Sequence, residues 1–342
     1  MDKIVTFGEI MLRLKSFEHE RFFQRPALEA TFGGGEANVA VSLSILGEQT
    51  RFVTALPDNA IADGAISELR KHGVDTSAIV KTKDGRVGIY FLETGANQRA
   101  SKVVYDRNMS SISLAKPSDF DWAQVFEGAK WFHVTGITPA LSQTAADCAI
   151  AAVKKAKEMS LTVSMDLNYR KKLWNYGKKA PEVMRALVQY ADVIVANEED
   201  IQKCLGIEAD VDVTKGELSD VVYRQLAEKV KSMFPNIQHV AITLRESISA
   251  DRNGWRAVLH GVNGFYESQR YAIDDIIDRV GVGDSFSAGL IYGLRHLNEK
   301  QALDFAVAAS CLKHSVPGDF NLTTKAEIET LLKGDASGRV QR

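Results

Sequence analysis

The chain has 342 residues, with 42 Lys and Arg against 44 Asp and Glu for a formal net charge of −2, and it is 45% hydrophobic and 25% charged. Such average values exclude disordered, collagen-like and low-complexity architectures, and the near-neutral balance lacks the positive field of a general nucleic-acid binder. The length suits two domains, or one large α/β domain carrying an insertion.

From the N-terminus, residues 4–7 are predicted as a strand that starts at once, without the long apolar core of a signal peptide. Further strands are predicted at 51–55, 131–135, 162–166, 193–196 and 239–243. Several are apolar on both faces, as strands inside a covered parallel sheet should be. Helices lie between them. Residues 36–46 place Val39, Leu43 and Leu46 at helical spacing and stop at Gly47, 59–72 stop at Gly73, and Ser142 is placed to cap 143–158. The alternation predicts an α/β fold with a doubly wound, mostly parallel sheet flanked by helices.

Two stretches break this rhythm. Residues 10–32 and 86–107 are extended and alternating, and the second reads as a hairpin of 86–93 and 100–107 around a loop at 94–98. Together they predict a small β-sheet lid; the alternative is a set of ordinary edge strands of the main sheet. The main domain then comprises 1–9, 33–85 and 108–334, the lid 10–32 and 86–107, and 335–342 form a flexible tail. Residues 208–222 carry no assignable motif. No run approaches the ~18 apolar residues of a membrane span. Cys148, Cys204 and Cys311 form no C-x-x-C pair and read as reduced thiols of a cytoplasmic protein. The seven histidines show no zinc-site spacing.

Open parallel sheets bind ligands beyond the carboxyl ends of their strands. Those positions hold Gly8 and Glu9, Asn168 and Arg170, Asn197 through Asp200, and Arg245. Gly33-Gly34-Gly35-Glu36-Ala37-Asn38 opens a helix, either as a simple tight turn or as a backbone that a ligand approaches closely. It is not a dinucleotide fingerprint, because Asn38 stands at its last position and it follows the lid rather than the first strand. That disfavours a nicotinamide-dependent dehydrogenase. In Gly281-Val282-Gly283-Asp284, a tight turn leads into a helix of small residues, and its successive amides form an anion nest. Asp284 falls in the first helical turn. There it is either a helix-dipole partner or a general base for a hydroxyl attacking a phosphoryl group.

These two segments, the first continuing to Leu46-Gly47 and the second running from Asp278 to Phe286, resemble the paired signatures of the PfkB (ribokinase-like) carbohydrate kinases. They occur in the family's order, with Val282 where alanine is most common, and the resemblance spans nearly the whole chain. Within the family the chain is most similar to the 2-keto-3-deoxygluconate kinases. That likeness rests on Gly8-Glu9-Ile10-Met11-Leu12-Arg13, with Glu9 where ribokinases usually have aspartate, on Val104-Tyr105-Asp106-Arg107, and on Asp166-Leu167-Asn168-Tyr169-Arg170-Lys171-Lys172-Leu173-Trp174. Bacterial fructokinases share the Asp-x-Asn-x-Arg part of the last run.

The resemblance implies ATP-dependent phosphorylation of the terminal C6 hydroxyl of a sugar acid, with magnesium. Asp284 would be the base, and the amides of Gly281, Val282 and Gly283 the anion hole. It places Glu9, Gly34, Gly35, Asn38, Tyr90, Tyr105, Arg107, Ile137 and Arg170 around the sugar acid. Asn168, Arg170, Asn197, Thr243, Arg245, Gly281 and Gly283 line the nucleotide side. Glu198, Glu199 or Asp200 orders a magnesium-bound water, Asp200 standing where the family has glutamate. A turn is expected at Thr243-Leu244-Arg245-Glu246. The family also implies a homo-oligomer formed through the lid, no nucleic-acid or membrane partner and, by analogy alone, a monovalent cation near 272–278.

The residues add one argument of their own. Tyr105 and Arg107 lie two apart on a strand and so project from one face, and an arginine fork matches a carboxylate; the alternative for Arg107 is a surface charge on an exposed edge strand. A neutral sugar would leave that buried charge unpaired. The rivals are a fructokinase and a non-catalytic sugar-binding relative, and the intact Gly281, Gly283 and Asp284 speak against the latter.

Overall fold

In the computed structural model, which describes residues 2–207 and 220–334, the chain opens with β1 (Lys3–Phe7). Ile4 joins one hydrophobic core, and Val5 and Phe7 join another. A strand apolar on both faces is thereby fixed inside a sheet covered on both sides. The chain leaves that sheet for the hairpin of β2 (Met11–Lys15) and β3 (Glu29–Gly33), then returns through α1 (Gly35–Ile45) to β4 (Thr50–Val53). The strand predicted at 51–55 is broken. After Thr54 the chain turns away, and β5 (Ala55–Pro57) pairs across α2 (Ala60–Lys71) with β6 (Val80–Thr82) in a separate ladder. A second hairpin, β7 (Gly88–Glu93) and β8 (Lys102–Asp106), follows.

The chain continues through α3 (Ser111–Leu114), α4 (Trp122–Val125), β9 (Ala129–Thr135), α5 (Gln143–Glu158), β10 (Thr162–Asp166), α6 (Ala180–Val188), β11 (Val193–Ala196) and α7 (Glu198–Leu205). The Ser142 hydroxyl accepts from the Ala145 amide at 3.0 Å and caps α5 at its predicted start. Then come α8 (Asp220–Met233), β12 (His239–Ser247), β13 (Asn253–His260), β14 (Phe265–Glu267), β15 (Tyr271–Ile273), α9 (Val282–His296), α10 (Glu299–Lys313) and α11 (Lys325–Leu332). Most of the motif-free stretch 208–222 and the tail 335–342 lie outside the described residues.

The strand order of the main sheet is β14-β13-β12-β11-β10-β9-β1-β4, with β15 beside β13. It is parallel from β12 to β4, and β13 runs antiparallel at one side. Residues of α5 to α8 join the core on one face, and residues of α1, α9, α10 and α11 join the core on the other. The turn expected at 243–246 is not a turn. β12 carries on through these residues in an antiparallel ladder with β13, from Thr243 opposite Ala257 to Ser247 opposite Asn253. An uninterrupted hairpin partner satisfies the backbone there, so the strand has no reason to stop.

The two hairpins form their own four-stranded sheet, in the order β3-β2-β7-β8 with β2 parallel to β7, and are not edges of the main one. Strand alternation gives this small sheet two faces. Met11, Tyr90, Val103 and Tyr105 face the cavity described next. Leu12, Leu14, Ile89, Phe91 and Val104 alternate with them and face away.

Candidate active site

The carboxyl ends of β1, β9, β10 and β11, together with the middle of β12, open onto a cavity of about 500 Å3 that the small sheet borders. At its floor two helix starts meet. Gly281 begins α9 with a left-handed backbone (φ 82), and a methyl group there would fall 2.0 Å from the Asp319 carbonyl oxygen. Only glycine fits that corner. Gly283 differs, because a side chain there would enter open space, so its position leaves room for a ligand. Among the described residues no side chain caps α9, and the residues of its first turn, whose amides have no intrahelical acceptor, line the cavity beside Asp284.

α1 starts at Gly34, where a methyl group would lie 1.9 Å from the Glu9 carbonyl oxygen. The Asn38 amide ties the two starts together. Its Oδ1 accepts from the Gly34 amide at 3.1 Å, and its Nδ2 donates to Asp284 Oδ2 at 2.6 Å. Asn38, expected to hold substrate oxygens, thus has both ends engaged inside the protein and orients the acid. Burial pushes the Asp284 carboxyl up to about 7. The Asn38 bond opposes this, Asp319 and Glu36 add to it, and Arg170 pulls it back.

The small sheet and the connection between β1 and β2 form one wall. Arg107 is buried, not a surface charge on an edge strand, and it pairs with buried Glu9. That pairing removes the argument that a neutral sugar would leave the Arg107 charge without a partner. Among the described residues Arg107 Nε and Glu9 Oε1 have no hydrogen-bond partner, so the pair is held through one end. The Arg107 guanidinium carbon lies 5.4 Å from the centre of the Tyr105 ring, which is 43% exposed. The Tyr90 ring lines the cavity, but its hydroxyl donates to Asp319 Oδ1 at 2.5 Å and is not free for a ligand. Ile137 lines the wall opposite, just before a short turn of helix at Thr138–Ala140.

The other end of the cavity is polar. Asn168 adopts a left-handed backbone (φ 36), which asparagine tolerates better than most residues, and its amide donates to Asp166 Oδ1 at 3.1 Å. Arg170 projects from this loop and is exposed. Thr243 and Arg245 share a face of β12, and Asn197 caps α7. Asp200 is the most constrained acid here. Its oxygens accept from the amides of Asn197 at 3.2 Å and Tyr169 at 2.8 Å, and burial pushes it up to about 6. Asp200 therefore joins the 166–170 loop to α7, while Glu198 and the exposed Glu199 also line the cavity.

All the residues named for the site in the sequence border this one cavity. Sequence reasoning missed Glu36, Asp166 and Asp319. Glu36 is buried beneath the glycine turn, where its Oε1 accepts from the Thr135 amide at 3.0 Å and from the Thr135 and Thr138 hydroxyls at 2.8 Å each. Asp166, at the end of β10, is pushed well above the usual carboxylate range by burial and by Asp200 and Asp284. A buried acid at a strand's carboxyl end was a readable signal for Asp166. Asp319 meets its partners only through the fold.

A family model for pfkB family carbohydrate kinases matches residues 1–325. The chain is 32% identical over 337 residues to a 2-dehydro-3-deoxygalactonokinase from Haloferax volcanii, covering 98% of each chain. It is 27% identical to a 2-dehydro-3-deoxygluconokinase from Bacillus subtilis over 96% of this chain and 94% of that one. The fold superposes on the crystal structure of a 2-dehydro-3-deoxygluconokinase from Thermotoga maritima with a TM-score of 0.92 and 47% identity, covering 98% of this chain and 100% of that one.

Proposed function

The chain belongs to the pfkB family of carbohydrate kinases, and from that premise we propose that it transfers the terminal phosphoryl group of ATP to the C6 hydroxyl of 2-keto-3-deoxygluconate. The observation that carries the reading is the buried Asp284 carboxylate, oriented by Asn38 beside uncapped helix amides. A carboxylate held near neutrality takes the proton of the C6 hydroxyl as the oxygen attacks. The amides of Gly281, Val282 and Gly283 then hold the negative charge of the group in flight. The small sheet shields the cavity, which limits transfer to water.

Sugar kinases of this family use ATP and Mg2+. The acids at the polar end suit magnesium, which prefers oxygen and keeps several of its waters. Among the described residues no three acids, histidines or cysteines gather closely enough to hold a metal by themselves. Glu198, Glu199 or Asp200 would meet the metal through water, the bulk of its ligands coming from the nucleotide, and magnesium would neutralise phosphate charge. Of the three acids in the 272–278 stretch, Asp274 is paired with Arg252 and Asp278 with Arg13.

Arg107 recognises the sugar-acid carboxylate and Glu9 holds the guanidinium in place. Glu9 accepts from Nη2 and leaves other donors of the fork available. Tyr105 packs against the sugar, and Arg170 lies between sugar and phosphates. The decisive assay is ADP release over a panel containing 2-keto-3-deoxygluconate, its C4 epimer 2-keto-3-deoxygalactonate, and fructose. Turnover of a keto-deoxy acid well above fructose is expected, and preference for fructose would overturn the substrate assignment.

We also propose a homo-oligomer built on the outward face of the small sheet. Phe91 and Leu14 lie there, and Val104 is 44% exposed. A sheet with an apolar outer face favours pairing with a second copy. Phe91→Asp is expected to lower the mass measured by light scattering to that of a monomer; an unchanged mass would remove the proposal.

A further inference from the structure

Beneath the floor of the cavity lies a buried ionic cluster that the proposed chemistry does not use. Arg13, on the inward face of β2, is 1% exposed. Its Nη1 donates to Asp319 Oδ1 at 2.7 Å and its Nη2 to Asp278 Oδ2. Tyr90, its register partner on β7, donates to the same Asp319 oxygen. Two adjacent strands of the small sheet thus grip two carboxylates that belong to the main domain.

Those carboxylates shape the anion-hole turn. Asp278 accepts from the amides of Val280 at 3.0 Å and Gly318 at 3.1 Å. The Asp319 backbone is the surface on which Gly281 turns, and its side chain fills the space beside Gly33. The ammonium of Lys313, 0% exposed, lies in the same cluster and donates to the Val316 carbonyl at 2.9 Å. The cluster thus holds two buried cations against two carboxylates and is balanced as a unit. A planar fork meeting two acids at once fixes orientation, which a point charge does not.

We infer that Arg13 is a positioning residue for phosphoryl transfer, registering the small sheet against the turn at 278–283 so that the sugar-binding wall and the anion-hole amides come into line. The inference rests on the kinase reading above. Misalignment of about 1 Å costs on the order of 10²-fold in rate without abolishing binding.

The test compares Arg13→Lys, Arg13→Gln and Tyr90→Phe with the wild-type enzyme, using ATP and 2-keto-3-deoxygluconate and correcting for the folded fraction. Arg13→Gln is expected to lower kcat by on the order of 10²-fold with a much smaller change in KM for ATP. Arg13→Lys, which keeps the charge but not the fork, should recover only part of that loss. Tyr90→Phe, which removes one grip and strands no charge, should move kcat in the same direction by less. ADP released per molecule of sugar phosphate should rise in all three, a readout that lowered stability alone does not move. If wild-type turnover is normal and both Arg13→Lys and Tyr90→Phe keep kcat and coupling within about twofold of it, the inference is overturned and the kinase reading stands. A wild-type protein that phosphorylates no sugar in the panel would overturn both.

Discussion

Asp284→Asn is expected to lower kcat by about 10²–10⁴-fold, the usual worth of a positioned general base, while sugar and ATP binding change little. Asparagine keeps the shape and still offers an oxygen to Asn38 Nδ2, but it takes up no proton. The wild-type pH profile carries the same assignment. With its carboxyl near 7, Asp284 is mostly protonated below that pH, so kcat should rise through pH 6–8 and level off above. Burial above all sets where the rise falls, with Asn38, Asp319, Glu36 and Arg170 adjusting it. In the variant that limb should vanish. Calorimetry supplies a second signature. The folded-state value lies above the ordinary 3.8, so between the two the native state binds more protons than the unfolded chain. Its stability contribution therefore falls as pH rises through that window. At pH 8 the buried charge costs on the order of a few kcal/mol, and Asp284→Asn should raise Tm there, the gain shrinking toward pH 4. Lost turnover with a raised Tm marks an acid kept for chemistry at the expense of stability. Retained wild-type kcat would remove Asp284 as the base.

What the sequence makes legible here follows the range of the interactions involved. The helix starts at Gly34 and Gly281 are local, since a few consecutive residues determine whether a backbone can turn left-handed or leave amides open, and both could be read directly. The parallel sheet was equally plain, because strands such as β1 and β11 are apolar on both faces whatever surrounds them. β12 was harder. Its continuation past Thr243 depends on β13, which supplies the ladder, and residues 244–247 by themselves read as polar loop. The least legible parts join distant segments. Arg13 meets Asp319 across 306 positions, and Glu9 meets Arg107 across 98. A charged residue in an alternating strand looks the same in sequence whether it faces water or a buried acid. For that reason Arg107 was read as reaching for a ligand charge alone, whereas the fold had already given it one inside the protein.

The Glu9–Arg107 pair makes the substrate assignment separable from the fold. Arg107→Met strands the Glu9 carboxylate in a buried place, and breaking such a pair costs about 3–5 kcal/mol. That variant alone would confuse weak folding with weak binding. Glu9→Gln combined with Arg107→Met removes both charges, and a neutral pair of similar size should regain most of the lost stability in urea unfolding. The two measurements then part. Were Arg107 only a partner for Glu9, the double variant would handle 2-keto-3-deoxygluconate as the wild type does. If Arg107 also holds the substrate carboxylate, the double variant should fold well and still show a KM for the acid raised by about 10-fold or more, the worth of a charge-assisted bond, with fructose turnover unaffected. Glu9→Gln alone sharpens the contrast. It leaves the guanidinium without the anion that holds it inside the protein, so a ligand carboxylate should count for more, and the preference for an acid over a neutral sugar should widen. A double variant with wild-type KM for the acid would assign Arg107 to the fold and move the carboxylate to an exposed cation of the same cavity, Arg170 or Arg245.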